Sequence, residues 1–212
     1  MHTAASYIRS TESAVRKLFA GIKTYVRLLA PIRGTTFVSG QRDPEAFQAE
    51  YDAWAKRNAR KLSASFRAQE KFAEQTFALA TLCGAVLQVA AKAIECYSTN
   101  THVPPDLQSL LGKSKSPIPF CVGRRVKGIP IGLVIYAGRN QHAHYNEATL
   151  APVNQAVFDR IAASPQRPEF KDPGLDPQNP LLHSLAANVT HVLGWRTYAA
   201  YQKDLRALLV GT

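Results

Sequence analysis

Acidic residues are scarce in this chain: 15 Asp and Glu stand against 26 Lys and Arg, a formal net charge of +11. Between Leu107 and Asn146 there is no Asp or Glu at all. Cysteine is also sparse. Cys83, Cys96 and Cys121 are odd in number, far apart and never in a C-x-x-C pair, which argues against a disulfide framework and a structural zinc site. Reduced thiols in a cytosol-like compartment are the expectation, so a cytoplasmic location is expected. No apolar run approaches the ~18–20 residues needed to span a bilayer; the longest, Ile129 to Ala137, stops at nine. No membrane partner is therefore expected. The chain lacks a G-x(4)-G-K-[ST] phosphate loop, a G-x-G-x-x-G turn and an H-E-x-x-H pair. It also lacks internal repeats and low-complexity tracts.

What remains is a helical pattern. Apolar residues make up 46% and charged residues 19% of the 212, the balance of a globular chain. Val15, Leu18, Phe19, Ile22, Tyr25, Val26 and Leu29 form one apolar face, which predicts a helix over 10–30 with Ser10 as its cap. Arg16, Lys17, Lys23 and Arg27 occupy the opposite face. A basic presequence or a membrane-surface helix would share some of these features, but the apolar face favours docking onto the domain. Pro31 to Gln41 reads as a loop. Asp43-Pro44-Glu45 is a strong helix start, and no Gly or Pro follows from Glu45 to Cys83. Unbroken, residues 44–97 would extend ~80 Å, so a break is expected near Ser63–Glu70.

Ser98 to Ser116 reads as a connector with a short helix at Asp106–Leu111, and Pro117 to Gly128 as a basic loop. Pro130 opens a helix run to about Leu150, with a strand as the alternative for Ile129–Ala137. Pro152 begins another helix to Ala163. A proline-rich loop at Ser164–Pro180 follows, then a helical hairpin over 180–209 turning near Gly194. The fold class expected is all-α, as a single helical domain. Trp54 and Trp195 read as packing residues, and His183 and His191 as satisfied structural histidines.

The apolar run before Arg139 ends abruptly in Arg139, Asn140, Gln141, His142, His144 and Tyr145. Burying such groups without partners costs kilocalories, so they must be exposed, paired or used. They suit RNA backbone cleavage without a metal. Histidine titrates near neutral pH and can move a proton to or from the 2′-hydroxyl and the 5′-oxygen. A guanidinium can hold charge on the phosphorane-like oxygens. Asn140 can orient a partner or the phosphate. Arg139 and His144, five apart, diverge by ~140° on a straight helix, whereas Asn140 and His144 share a face. Two copies across a two-fold axis could bring Arg139 of one toward His144 of the other, with Gly132 and Gly138 permitting close helix approach. Glu95 could reach the motif across the bundle; a solvated helix-end acid is the preferred reading. A His142-x-His144 metal pair is disfavoured, because i,i+2 side chains diverge on a helix.

At these residues the sequence resembles a known family. Arg139-Asn140-x-x-x-His144 is similar to the R-N/D/H-x(3–5)-H signature of HEPN domains (higher eukaryotes and prokaryotes nucleotide-binding). The lead Gly128-Ile-Pro-Ile-Gly and the Arg-Asn-Gln-x-x-His-Tyr run look like the plasmid- and defence-associated branch. The resemblance covers about residues 68–162. It implies a HEPN-like four-to-five-helix bundle core, with N-terminal helices at 10–66 and the 180–209 hairpin as additions. It further implies a homodimer with the motif at its interface, and metal-independent endoribonuclease activity of the kind found in toxins and defence effectors. Arg139, Asn140 and His144 would be catalytic, with His142 and Tyr145 supporting. The basic residues Lys113, Lys115, Arg124, Arg125 and Lys127 are expected to bind RNA. Partners implied are RNA, a second copy, and an antitoxin or regulatory protein; no cofactor and no metal are expected. The reading from another class is a non-catalytic helical module that binds RNA or protein through the same groove.

Overall fold

The computed structural model describes residues 3–28, 36–147, 149–164 and 170–209. Leu29, the start of the expected loop at 31–35 and part of the proline-rich segment at 165–169 lie outside the described residues. The protein is predominantly all-α, 69% helical, with a two-stranded sheet. It divides into two compact units: Met1–Gly21 with Phe77–Thr212, and Ile22–Thr76.

The first helix, α1, spans Ala4–Arg27, starting six residues before the expected Ser10. Thr3 supplies the cap, its Oγ1 accepting from the Ser6 amide at 3.2 Å. Ser10 lies inside the helix, and its hydroxyl donates back to the Tyr7 carbonyl. Ile8, Val15, Phe19 and Ile22 are the buried positions; the last three belong to the expected apolar face, and Ile8 precedes the expected helix.

Helix α2 spans Pro44–Tyr97 without interruption. Asp43 caps it, Oδ2 accepting from the Ala46 amide at 2.9 Å. The break expected at 63–70 does not occur. That expectation assumed the helix must fit one compact body, but residues 44–76 belong to one unit and 77–97 to the other. Without Gly or Pro before Gly84, nothing local stops propagation. In the smaller unit, Phe47, Tyr51 and Trp54 share a helix face that Phe37 covers, ring centroids 5.4–5.5 Å away. In the larger unit, Cys83, Val86, Leu87, Ala90, Ala91 and Ile94 are buried. By length and composition alone, α2 holds an 18-residue stretch apolar enough to cross a membrane, against the expectation; 56% of that stretch is buried inside the protein.

A short helix α3 (Gln108–Leu111) precedes a hairpin, β1 (Arg125–Val126) paired with β2 (Ile129–Pro130). Its turn places both Lys127 and Gly128 at positive φ, as a tight turn matched to strand twist requires. Helix α4 (Ile131–Ala143) follows, and eight of its residues are buried. It packs on α5 (Pro152–Ala162) and α6 (Ala186–Val192). The strand alternative for Ile129–Ala137 holds only for the two residues of β2. The expected extension to Leu150 fails because His144 leaves helical geometry, at φ −118° and ψ 30°. The C-terminal pair is α6 and α7 (Tyr198–Leu209), and Gly194 between them has φ +73°. Residues 180–185 are not helical.

Gly132 and Gly138 are both used for close approach within the chain. A Cβ at Gly132 would strike the Phe120 carbonyl, and one at Gly138 would stand 2.7 Å from Val189 Cγ1. Both close approaches occur within the chain. Trp195 is buried as expected, and its indole N–H donates to Asp204. His183 and His191 are exposed, not satisfied core residues.

Candidate functional site

The polar residues at the end of α4 fan out to different neighbours. Arg139 turns to α2, where Nη2 donates to Glu95 Oε1; the two side chains are 23% and 29% exposed. Its Nε is buried and has no partner among the described residues. Glu95 therefore does reach the motif, as an exposed acid paired with both Arg139 and Lys92. Asn140 turns to α5, with Nδ2 donating to Asn154 Oδ1 at 3.4 Å. Gln141 is buried and accepts from the Leu185 amide at 2.8 Å. His142 Nδ1 shares a 2.8 Å hydrogen bond with Ser184 Oγ. The ring packs over Gly84, where any Cβ would collide with it, and burial pushes the imidazole below its ordinary value of 6.5.

His144 ends the helix and is solvent-facing. Its Nδ1 lies 2.6 Å from Glu147 Oε1, the side chains 55% and 57% exposed. Tyr145 stacks edge-on against Phe77, 6.2 Å between centroids. Two adjoining clefts meet at His144 and Glu147. One, of about 420 Å³, is lined by Gln141, Asp159, Lys171 and His183 among others. The smaller, of about 200 Å³, adds Asn140 and Asn154. So the i,i+4 relation holds in space: Asn140 and His144 open on one cleft. Arg139 lines neither. The larger cleft is not a field of positive charge, since Glu147, Asp159 and Asp176 line it and Lys171 is paired with Asp159 at 2.7 Å. Among the described residues, no group of three or more His, Cys, Asp or Glu stands together as a metal site.

The basic residues at 124–127 are used by the fold. Arg124 pairs with Asp204 and donates to the Leu193 carbonyl. Arg125 pairs with Asp106 and donates to the Gly128 carbonyl. Lys127 Nζ donates to the Ile161 and Ala163 carbonyls at the end of α5. Arg124 and Arg125 find their carboxylates outside the acid-free segment, at Asp204 and Asp106, whereas Lys127 meets only backbone carbonyls. Lys113 and Lys115 are in none of the ion pairs found among the described residues.

Residues missed in sequence are Glu147, Asn154 and Ser184. Glu147 had a readable signal, its i,i+3 spacing from His144. The other two are distant in sequence and carried none. No family model, curated protein or solved structure matches this chain.

Proposed function

We propose that this protein is a metal-independent endoribonuclease in which His144 transfers the proton. One observation carries the reading: an exposed histidine, its Nδ1 held by Glu147, at the rim of a cleft that also holds Asn140. A carboxylate on one ring nitrogen orients the imidazole and leaves Nε2 for substrate. His144 then takes the proton of a ribose 2′-hydroxyl as it attacks the adjacent phosphorus. The P–O5′ bond breaks and the departing 5′-oxygen takes the proton back from the His144 imidazolium, leaving a 2′,3′-cyclic phosphate and a 5′-hydroxyl. Arg139 supplies charge stabilisation from the second copy of a homodimer, because within one chain it faces α2.

The non-catalytic reading draws on a different observation. Arg139 is already bound to a carboxylate, and carboxylates line the larger cleft. Incubating the purified protein with single-stranded RNA in EDTA separates the two. The ribonuclease reading expects cyclic-phosphate products, intact DNA of the same sequence, and a loss of about 10²–10⁴ in rate for His144→Ala. RNA bound but uncut by the wild type would leave the binding module.

A further inference from the structure

Lys113 and Lys115 in the acid-free 107–146 segment are exposed and in none of the ion pairs found among the described residues, but a longer row of such cations lies on α2. Residues 53–69 of α2 contain Lys56, Arg57, Arg60, Lys61 and Arg67 and no acid, with Asp52 and Glu70 bounding them. All five cations are exposed. None is in an ion pair with another described residue. The contrast with Arg124, Arg125 and Arg139 is direct, since each of those already holds a carboxylate.

Helix geometry aligns them. At 100° per residue, Lys56, Arg60 and Arg67 fall within about 40° of one another, and Arg57 and Lys61 form the adjoining row. From 56 to 67 the helix rises about 17 Å, a length over which several phosphates of one strand can be met. The other side of this segment is turned inward: Trp54, Asn58 and Leu62 are half-buried and Ser65 is buried. Phe66, 60% exposed, stands beside Arg67 and offers a ring on which an unpaired base can stack.

We propose that this face of α2 holds the phosphate backbone of single-stranded RNA. The identity of the polyanion rests on the ribonuclease reading above; the position and charge of the surface do not. An anionic membrane is the less favoured occupant, because an interfacial helix needs a free apolar face. Over residues 53–69, Phe66 is a single exposed apolar ring, and Trp54 and Leu62 are half-buried.

The test uses the full chain carrying His144→Ala, so that cleavage does not interfere, and a fluorescent single-stranded 20-mer RNA. Combined Lys56→Glu, Arg60→Glu and Arg67→Glu should weaken binding at least about tenfold, and should flatten the slope of log affinity against log salt by about 2, three contacts at ~0.7 each. Lys56→Arg, Arg60→Lys and Arg67→Lys together should keep both. If the triple Glu variant loses its circular-dichroism helix signal, Arg60→Ala with Arg67→Ala carries the same test with a slope change of about 1.4. Unchanged affinity and slope overturn the proposal. So does RNA binding that survives while binding to phosphatidylserine vesicles is lost. A wild-type protein that binds RNA through these residues yet cuts none loses the ribonuclease reading and keeps this one. Cleavage that persists beside RNA binding indifferent to the substitutions does the reverse.

Discussion

Arg139 on α4 donates to Glu95 in the last turns of α2, joining residues 44 apart in sequence. Arg139 Nε, buried beside that pair, has no partner among the described residues. The guanidinium thus depends on one carboxylate. Glu95→Ala should lower unfolding free energy by about 1–3 kcal/mol, the usual penalty for stranding a polar group. Adding Arg139→Met should restore part of it, since the stranded charge is then gone. Urea denaturation of both singles and the double measures the coupling; strictly additive losses would show that the pair does not act as one.

Arg124 should behave as a structural residue. Asp204, 11% exposed at its side chain, accepts from both Arg124 and the Trp195 indole. Arg124→Ala should destabilise by roughly 1–3 kcal/mol and leave the salt dependence of RNA binding unchanged. A flattened salt slope with intact stability would return Arg124 to the RNA-contacting set.

Gly84 reverses an ordinary rule. Ala normally exceeds Gly in a helix by up to about 1 kcal/mol, but a Cβ here would occupy the space of the His142 ring. Gly84→Ala should therefore destabilise, by about 1–3 kcal/mol, as overpacking does. His142→Ala in the same chain should recover much of that loss. A more thermostable Gly84→Ala protein would contradict this packing.

Burial lowers the His142 imidazole below 6.5, so just beneath that value the unfolded chain binds more protons than the folded one. Stability is then complete above about pH 6.5 and falls as pH drops through the window between 6.5 and the depressed folded value. Asp106, held below 3.8 by Arg125, adds its own loss only at lower pH, near and below 3.8. Denaturation midpoints for wild type and His142→Gln should converge on acidification from pH 7 to 5. Parallel curves would show that His142 does not set the slope.

Subunit mixing tests how the proposed site is assembled. If each site takes Arg139 from one copy and His144 from the other, a heterodimer of Arg139→Ala and His144→Ala has one site without either group and one intact. Mixing the two inactive proteins should restore part of the cleavage. No recovery, with heterodimers verified, would place both groups in one chain.

Periodicity alone determined that this protein is helical. The apolar face of α1, the Asp43-Pro44 start of α2 and the proline opening of α5 are local signals, each acting within one or two turns. The nearness of Asn140 to His144 was likewise local, an i,i+4 relation. Tertiary structure decided the rest. Glu95, Asp106, Asp204 and Ser184 find their partners across 19 to 80 residues, and no spacing rule announces such pairs. The same folding paired Arg124 and Arg125 with carboxylates while leaving the cations at 56–67 in water. Formal charge is a property of the chain, but exposed charge depends on which carboxylates packing brings within hydrogen-bond reach.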